Sequence, residues 1–329
     1  MKKVLKIIGI VVIVLVILVV AIVVIVLGKA ADKSAHYYKY SNATGEIEKK
    51  YTDMGPLDVT SKEYPSDDES IKKFVIWYPK ELESGSEKYP VALWANGTGG
   101  NADSSTPFFK HLASHGFIVV GNDDANTRTG ASLNAGIDLL LSENENADSP
   151  LCGKIDLENI GIGGHSQGGP AVFNMATKQP HADRIKTVYA VSATSSYHTA
   201  IFKDGWEYDI SKVNVPTFLT AGTGTWDAGT AATKDQESDD EKGIAQGICP
   251  LWSLEENFTA LPDSIDKVYA RKTDVDHGDS YTQWDGYMTA WFSWYLKGDE
   301  EAGRASFGDA PELASNENYQ DVEISGANN

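Results

Sequence analysis

The stretch Asn159-Ile-Gly-Ile-Gly-Gly-His-Ser166-Gln-Gly-Gly-Pro170 constrains the fold more than any other part of the chain. Its first half reads as a strand, and Pro170 opens a helical stretch that runs to Lys178. The serine therefore falls on a tight Gly-x-Ser-x-Gly turn that leads from a strand straight into a helix. Such a turn holds its serine in a strained conformation, with the hydroxyl exposed at the strand's carboxyl end. Gly164 and Gly168 are small because strand and helix pass close to each other there. The helix start also leaves backbone N–H groups near Ser166 without intrahelical partners, which favours a developing oxyanion. Ser166 is the candidate nucleophile; the alternative is an inert serine in a glycine-rich turn.

The flanking chain fits that turn. Short β-branched or apolar runs at Phe74–Tyr78, Val91–Ala95, Phe117–Gly121, Asn159–Gly163, Thr187–Val191, Pro216–Ala221 and Lys267–Ala270 read as strands. Helical stretches at Pro107–His115, Ala131–Ser142 and Pro170–Lys178 alternate with them. This alternation predicts an α/β fold built on a mostly parallel sheet with helices on both faces. Tyr287, Met288, Trp291, Trp294 and Tyr295 recur at helical spacing and read as a core-facing stripe.

A serine hydroxyl needs a base within hydrogen-bond reach, and usually a carboxylate to orient that base. Of the seven histidines, His277 follows the last strand and precedes the last helix, at the sheet end where catalytic loops collect. His198, soon after the strand Thr187–Val191, is its rival. His165 abuts the serine, but its side chain is expected to point away at such a turn. Asp227 follows the strand Pro216–Ala221 closely and completes the chain order Ser166, Asp227, His277. Asp276, Asp204 and Asp209 are its rivals. Oxyanion donors are expected from the amide of Gln167 and from the loop Asn96-Gly-Thr-Gly-Gly100, at Thr98 first and Gly97 second. Trp226, Trp284 and Trp94 stand near loop ends and could line an apolar substrate site, or serve as ordinary packing.

With these features in order, the chain resembles the α/β-hydrolase superfamily. The likeness is greatest to its dienelactone-hydrolase-like, cutinase-like polyester hydrolase and platelet-activating-factor acetylhydrolase-like esterase branch. It extends from about Gly55 to Gly298, through Gly55-Pro-Leu-Asp-Val-Thr, Phe74-Val-Ile-Trp-Tyr-Pro, the serine turn and Thr289-Ala-Trp-Phe-Ser-Trp-Tyr-Leu-Lys-Gly-Asp. The resemblance implies the α/β-hydrolase fold and a serine esterase of lipase or esterase type. It makes Ser166 the nucleophile, Asp227 the acid and His277 the base, and it implies no metal or organic cofactor. Two departures stand against a polyester substrate. Asn96-Gly97-Thr98 replaces the Pro-Gly-aromatic loop of polyester hydrolases, and a long acidic interval separates Asp227 from His277. The same triad would also serve an acyltransferase or a peptidase, and a silent hydrolase fold acting as a surface-binding protein is the reading from another class.

Ahead of the domain, Ile7 to Leu27 is an uncharged apolar run of bilayer-spanning length behind Lys2, Lys3 and Lys6. It predicts a transmembrane signal anchor over residues 1–28, with the rest of the chain outside the cell. A cleaved signal peptide, and hence secretion, is the alternative, because small residues stand at Gly28, Ala30 and Ala31. Residues 29–54 read as a polar stalk, 55–307 as the catalytic domain, and 308–329 as a loosely ordered acidic tail. The run Asp235–Glu241 reads as a solvated loop, since no calcium-loop spacing is present. A formal net charge of −19 disfavours nucleic acid as a partner. The expected partners are an ester substrate and, through the anchor, the membrane. Spacing alone leaves open whether Cys152 and Cys249 pair.

Overall fold

The computed structural model describes residues 2–236, 246–279, 283 and 285–327. Two units are distinguished, one up to Ser41 and one from Asn42 onward. In the first, α1 (Lys2–Ala35) is a single helix of 34 residues. Among the described residues no helix is long and apolar enough to cross a membrane. The transmembrane anchor expected over residues 1–28 is therefore not supported. The helix also runs on through Lys29, Asp32 and Lys33, into what reads as stalk.

The second unit is built on a sheet of nine strands among the described residues, in the order β1-β2-β4-β3-β5-β6-β7-β8-β9. They are β1 (Val59–Pro65), β2 (Lys73–Pro79), β3 (Tyr89–Ala95), β4 (Ile118–Asn122), β5 (Ile155–His165), β6 (Ile185–Val191), β7 (Thr217–Gly222), β8 (Lys267–Lys272) and β9 (Tyr319–Ser325). From β4 across β3 and on to β8 every neighbour is parallel. β1 and β2 at one edge and β9 at the other pair antiparallel. From β3 the chain moves to β4 on one side and from β5 to β6 on the other, so the connections diverge between β3 and β5. The crevice at such a divergence is where open α/β sheets place their ligands.

Alternation along each strand fills two cores. Val91, Leu93 and Ala95 of β3 join Ile160 and Ile162 of β5 and Val188 and Ala190 of β6 on one face. There they meet α4 (Ala131–Glu145) through Leu133, Ile137 and Leu140, and α5 (Gly168–Lys178) through Val172, Phe173 and Met175. Ala92, Trp94, Tyr189, Val191 and Phe218 point the other way. They meet α3 (Thr106–Ser114) through Phe108, Phe109 and Leu112, and α8 (Asp285–Lys297) through Tyr287, Met288, Trp291 and Phe292. The aromatic stripe of this helix is thus core, because a sheet buried on both faces needs an apolar helix surface against each.

Two edge strands and one helix lie where loops are expected. β9 falls within the stretch 308–329 read as a loosely ordered tail, and β1 opens the domain. Both are polar and partly exposed, so their order comes from pairing with a neighbour and leaves little hydrophobic signature. α2 (Glu46–Thr52) lies in the stretch read as stalk. It packs so closely on α8 that a Cβ on Gly286 would fall 2.3 Å from Thr52 Oγ1. Cys152 and Cys249 are both free thiols. Cys249 is fully buried, and burial pushes its thiol pKa well up.

Glu48 of α2 is buried against Lys272 at the end of β8, with Nζ donating to Oε1 over 2.8 Å. Asn316 Nδ2 and the Thr44 amide donate to its other oxygen. Burial opposes its ionisation, but Lys272 and these donors outweigh it and hold the carboxyl below its usual value of 4.5. A depressed native pKa stabilises the fold above the unfolded value, and that contribution is lost as the pH falls through the native one. Thermal melts should therefore show the midpoint dropping as the pH falls below about 4.5. Lys272→Met should start lower by about 3–5 kcal/mol, because it leaves a buried charge unpaired, and should lose most of that acid-side dependence.

Candidate active site

Ser166 sits between β5 and α5 with φ at +58°, a left-handed conformation that a side-chain-bearing residue adopts only when its surroundings impose it. The surroundings are backbone. A Cβ on Gly164 would lie 2.2 Å from the carbonyl oxygen of Gly168, and one on Gly168 would lie 2.2 Å from that of Ala95 at the end of β3. The Ser166 amide donates to Val191 O at 2.9 Å, and its carbonyl accepts from Gly169 and Thr194. The turn is thereby tied to α5 and to the end of β6.

The three residues expected to work together do meet. His277 Nε2 lies 3.0 Å from Ser166 Oγ, and His277 Nδ1 lies 2.8 Å from Asp227 Oδ1. Because a carboxylate only accepts, the proton belongs on Nδ1, and Nε2 is left to accept from the serine hydroxyl. Asp227 is fully buried, and its second oxygen accepts from Ser192 Oγ at 2.7 Å and from the Gly222 amide at 2.8 Å. Asp276, the rival acid, has a different place. Its Oδ1 accepts from the backbone amides of both Asp227, at 3.0 Å, and His277, at 2.8 Å. One carboxylate oxygen therefore pins the acid loop to the base loop. Asp204 and Asp209 are not among the groups that contact Asp227 or His277 in the described residues.

His198 is buried, with Nδ1 2.9 Å from Ser195 Oγ, and does not join the triad, though it lines the same cavity. His165 differs from expectation. Its ring lies against that of His277, with centroids 4.7 Å apart and planes inclined by 32°. Burial and the neighbouring His277 push its pKa down to about 3, so it stays neutral beside the base. Nothing in the sequence marks this contact, because the direction of the side chain is set by the turn's left-handed backbone.

The loop after β3 is held by Asn96, which is buried and donates through Nδ2 to the carbonyls of Asn122 and Asp124. The Gly99 amide is taken by Ala125 O and the Gly100 amide by Gly97 O, which leaves Gly97 and Thr98 as the loop's candidate oxyanion donors. Gly97 is closest to the nucleophile: a Cβ there would lie 3.4 Å from that of Ser166. Gln167, directly after the serine, is fully buried, and its side-chain Nε2 donates to Thr98 Oγ1 at 2.8 Å. That bond joins the serine turn to the loop, and sequence reasoning missed it together with Ser192.

These groups open onto a cavity of about 850 Å³, lined also by Trp94, Thr194, Phe202, Trp206 and Ile248. Of the three expected tryptophans, Trp94 lines it while packing edge-on to Phe108 at 4.8 Å. Trp226 does not line it and is 60% exposed. It shares α7 (Thr225–Ala228) with Asp227, and successive helical side chains diverge by about 100°, so an inward Asp227 turns Trp226 outward. Trp284 lies outside the described residues, as does most of the acidic run Asp235–Glu241. Among the described residues no cluster of His, Cys, Asp and Glu is placed to hold a metal ion.

Comparison with known proteins gives a family match over residues 53–234, described as PET hydrolase-like. Cutinase est1 of Thermobifida alba is 24% identical over 208 residues, covering 61% of this chain and 56% of its own. Cutinase est2 of the same organism is 29% identical over 110 residues, 32% of this chain and 34% of its own. The bis(hydroxyethyl) terephthalate hydrolase of Streptomyces coelicolor is 25% identical over 235 residues, 68% of this chain and 62% of its own. The chain thus spans less than two thirds of the length of each.

The pair of hydrogen bonds that Asp276 Oδ1 accepts can be tested by the rate at which Ser166 reacts with a fluorophosphonate. Asp276→Asn keeps an acceptor at that point and should stay close to wild type. Asp276→Ala frees both amides and should slow the reaction about tenfold or more, at about 1 kcal/mol for each bond lost. Equal rates for the two variants would show that the link does not align the site.

Proposed function

Because the chain belongs to the PET hydrolase-like family, we propose that it hydrolyses carboxylic esters through an acyl-enzyme on Ser166. The observation that carries this reading is the continuous path from Asp227 through His277 to Ser166, with both links at hydrogen-bond distance. As the serine oxygen bonds to the ester carbonyl carbon, its proton passes to His277 Nε2, and Asp227 stabilises the imidazolium. Negative charge collects on the former carbonyl oxygen, in reach of the Gln167 amide and that of Thr98 or Gly97. Collapse of this intermediate breaks the bond to the alcohol, which leaves with the proton from Nε2. Water then gives its proton to His277 and attacks the acyl-enzyme, releasing the acid and restoring Ser166. The relatives named as cutinases and as a bis(hydroxyethyl) terephthalate hydrolase support an ester as the substrate. An acyltransferase would need an acceptor other than water, and no observation favours one.

A fluorophosphonate should label the protein, and Ser166→Ala should abolish the labelling. His277→Ala and Asp227→Asn should each lower kcat on a nitrophenyl ester on the order of 10⁴-fold. Labelling that survives Ser166→Ala would place the nucleophile elsewhere and end this reading.

The apolar run Ile7–Leu27 behind three lysines supports export, with release after the small residues that follow it. Active enzyme should then appear in the culture medium with its N-terminus near Ala31. Recovery of all activity in the cytoplasmic fraction would overturn export.

A further inference from the structure

A second serine near the triad is strained. Ser192, directly after β6, is fully buried and has φ at +48°, a conformation that persists only where contacts impose it. Its amide donates to Thr220 O in β7 at 2.7 Å, and its Oγ donates to Asp227 Oδ2, also at 2.7 Å.

The residues on either side of Ser192 hold the nucleophile. Val191 O accepts from the Ser166 amide at 2.9 Å, and the Thr194 amide donates to Ser166 O at 3.2 Å. Between them Ala193 lies so close to α5 that a Cβ on Gly169 would fall 2.2 Å from its own. Beyond Thr194 the Ser195 amide donates to Ile248 O at 2.9 Å, and the chain enters α6 (Ser196–Phe202). Residues 191–194 therefore grip the serine turn through backbone and the acid through one side chain.

That side chain matters because Asp227 is fully buried and depends on protein donors alone. Oδ1 faces His277 Nδ1 at 2.8 Å, and Oδ2 accepts from Ser192 Oγ and from the Gly222 amide. One donor would leave the carboxylate free to turn about its Cβ–Cγ bond. Two donors on the same oxygen fix its plane, and with it the direction in which Oδ1 meets the imidazole N–H. We propose that Ser192 is a positioning residue, whose left-handed backbone aims Oγ at Asp227 and locks the acid in register with the nucleophile. This rests on the esterase reading above, and Ser192 acts in it through Asp227.

The test measures kcat and KM of the full chain on para-nitrophenyl acetate. Ser192→Ala keeps a side chain in the left-handed region and removes only the hydroxyl. It should lower kcat about 10- to 100-fold, the range for a hydrogen bond to a charged group, and leave KM within about twofold. Glycine adopts this φ at no steric cost, so Ser192→Gly keeps the test open where the alanine variant does not fold, and it should show the same loss. Wild-type kcat in either variant would overturn the proposal. Two further readouts would not respond to a serine with a purely structural role. The downfield proton resonance of His277 Nδ1–H, which reports the bond to Asp227, should shift in both variants; an unmoved resonance sinks the idea. In an Asp227→Asn background Ser192→Ala should cost less than about twofold more, because the two act as a unit, whereas a full additional loss would contradict a role through Asp227. Fluorophosphonate labelling of the wild-type chain separates the two readings. An unlabelled Ser166 ends the esterase reading, whereas a labelled Ser166 with kcat and resonance unmoved in the variants ends only the role of Ser192.

Discussion

The site depends on a backbone-to-backbone contact. β5, the start of α5 and the end of β3 approach so closely that Gly164 and Gly168 have no room for a side chain. The contact forces Ser166 into the left-handed region and aims its hydroxyl off the sheet edge. It also sets the loop after β3 beside the serine, so that Gly97 lies against it. A methyl group at either glycine would push the strand, the helix or the loop away, and Ser166 and the candidate oxyanion donors would move together.

The pair Asp227 and His277 is aligned by a different means. Asp227 and His277 come from separate loops after β7 and β8, and each is fixed by bonds to its backbone as well as to its side chain. Asp276 gathers both backbone amides on one oxygen, while Ser192 and the Gly222 amide satisfy the buried carboxylate of Asp227. Lys272 holds the start of the base loop to Glu48 and also donates to Gln283 O at 2.8 Å. Helix α2, to which Glu48 belongs, is thereby linked to the base loop. A buried ion pair earns little net stability over an apolar substitute, but it holds its groups in one register.

The aromatic rings around the cavity lie where shape rather than chemistry is needed. Thr98 occupies the position where the resemblance leads one to expect an aromatic ring, and its hydroxyl is engaged by Gln167. Rings are supplied instead by the connection between β6 and β7, through a strained turn braced by Arg128. The candidate reacting groups and most of the rings around them are thus carried by different segments.

Sequence alone determined the interior strands, the two-faced core and the order Ser166, Asp227, His277. Each of these leaves a local signature, in apolar runs, in punctuated helices or in glycines at a turn. Tertiary structure decided the rest. The polar edge strands β1 and β9 owe their order to a neighbour's hydrogen bonds, and α2 owes its place to close packing and to the buried partners of Glu48. His165 lies on His277, and Trp226 faces outward, because backbone direction at a turn or a short helix sets where a side chain points. Whether a residue reaches a shared cavity, as Phe202 and Trp206 do, depends on distances between segments far apart in the chain, and no local pattern of residue types encodes those distances.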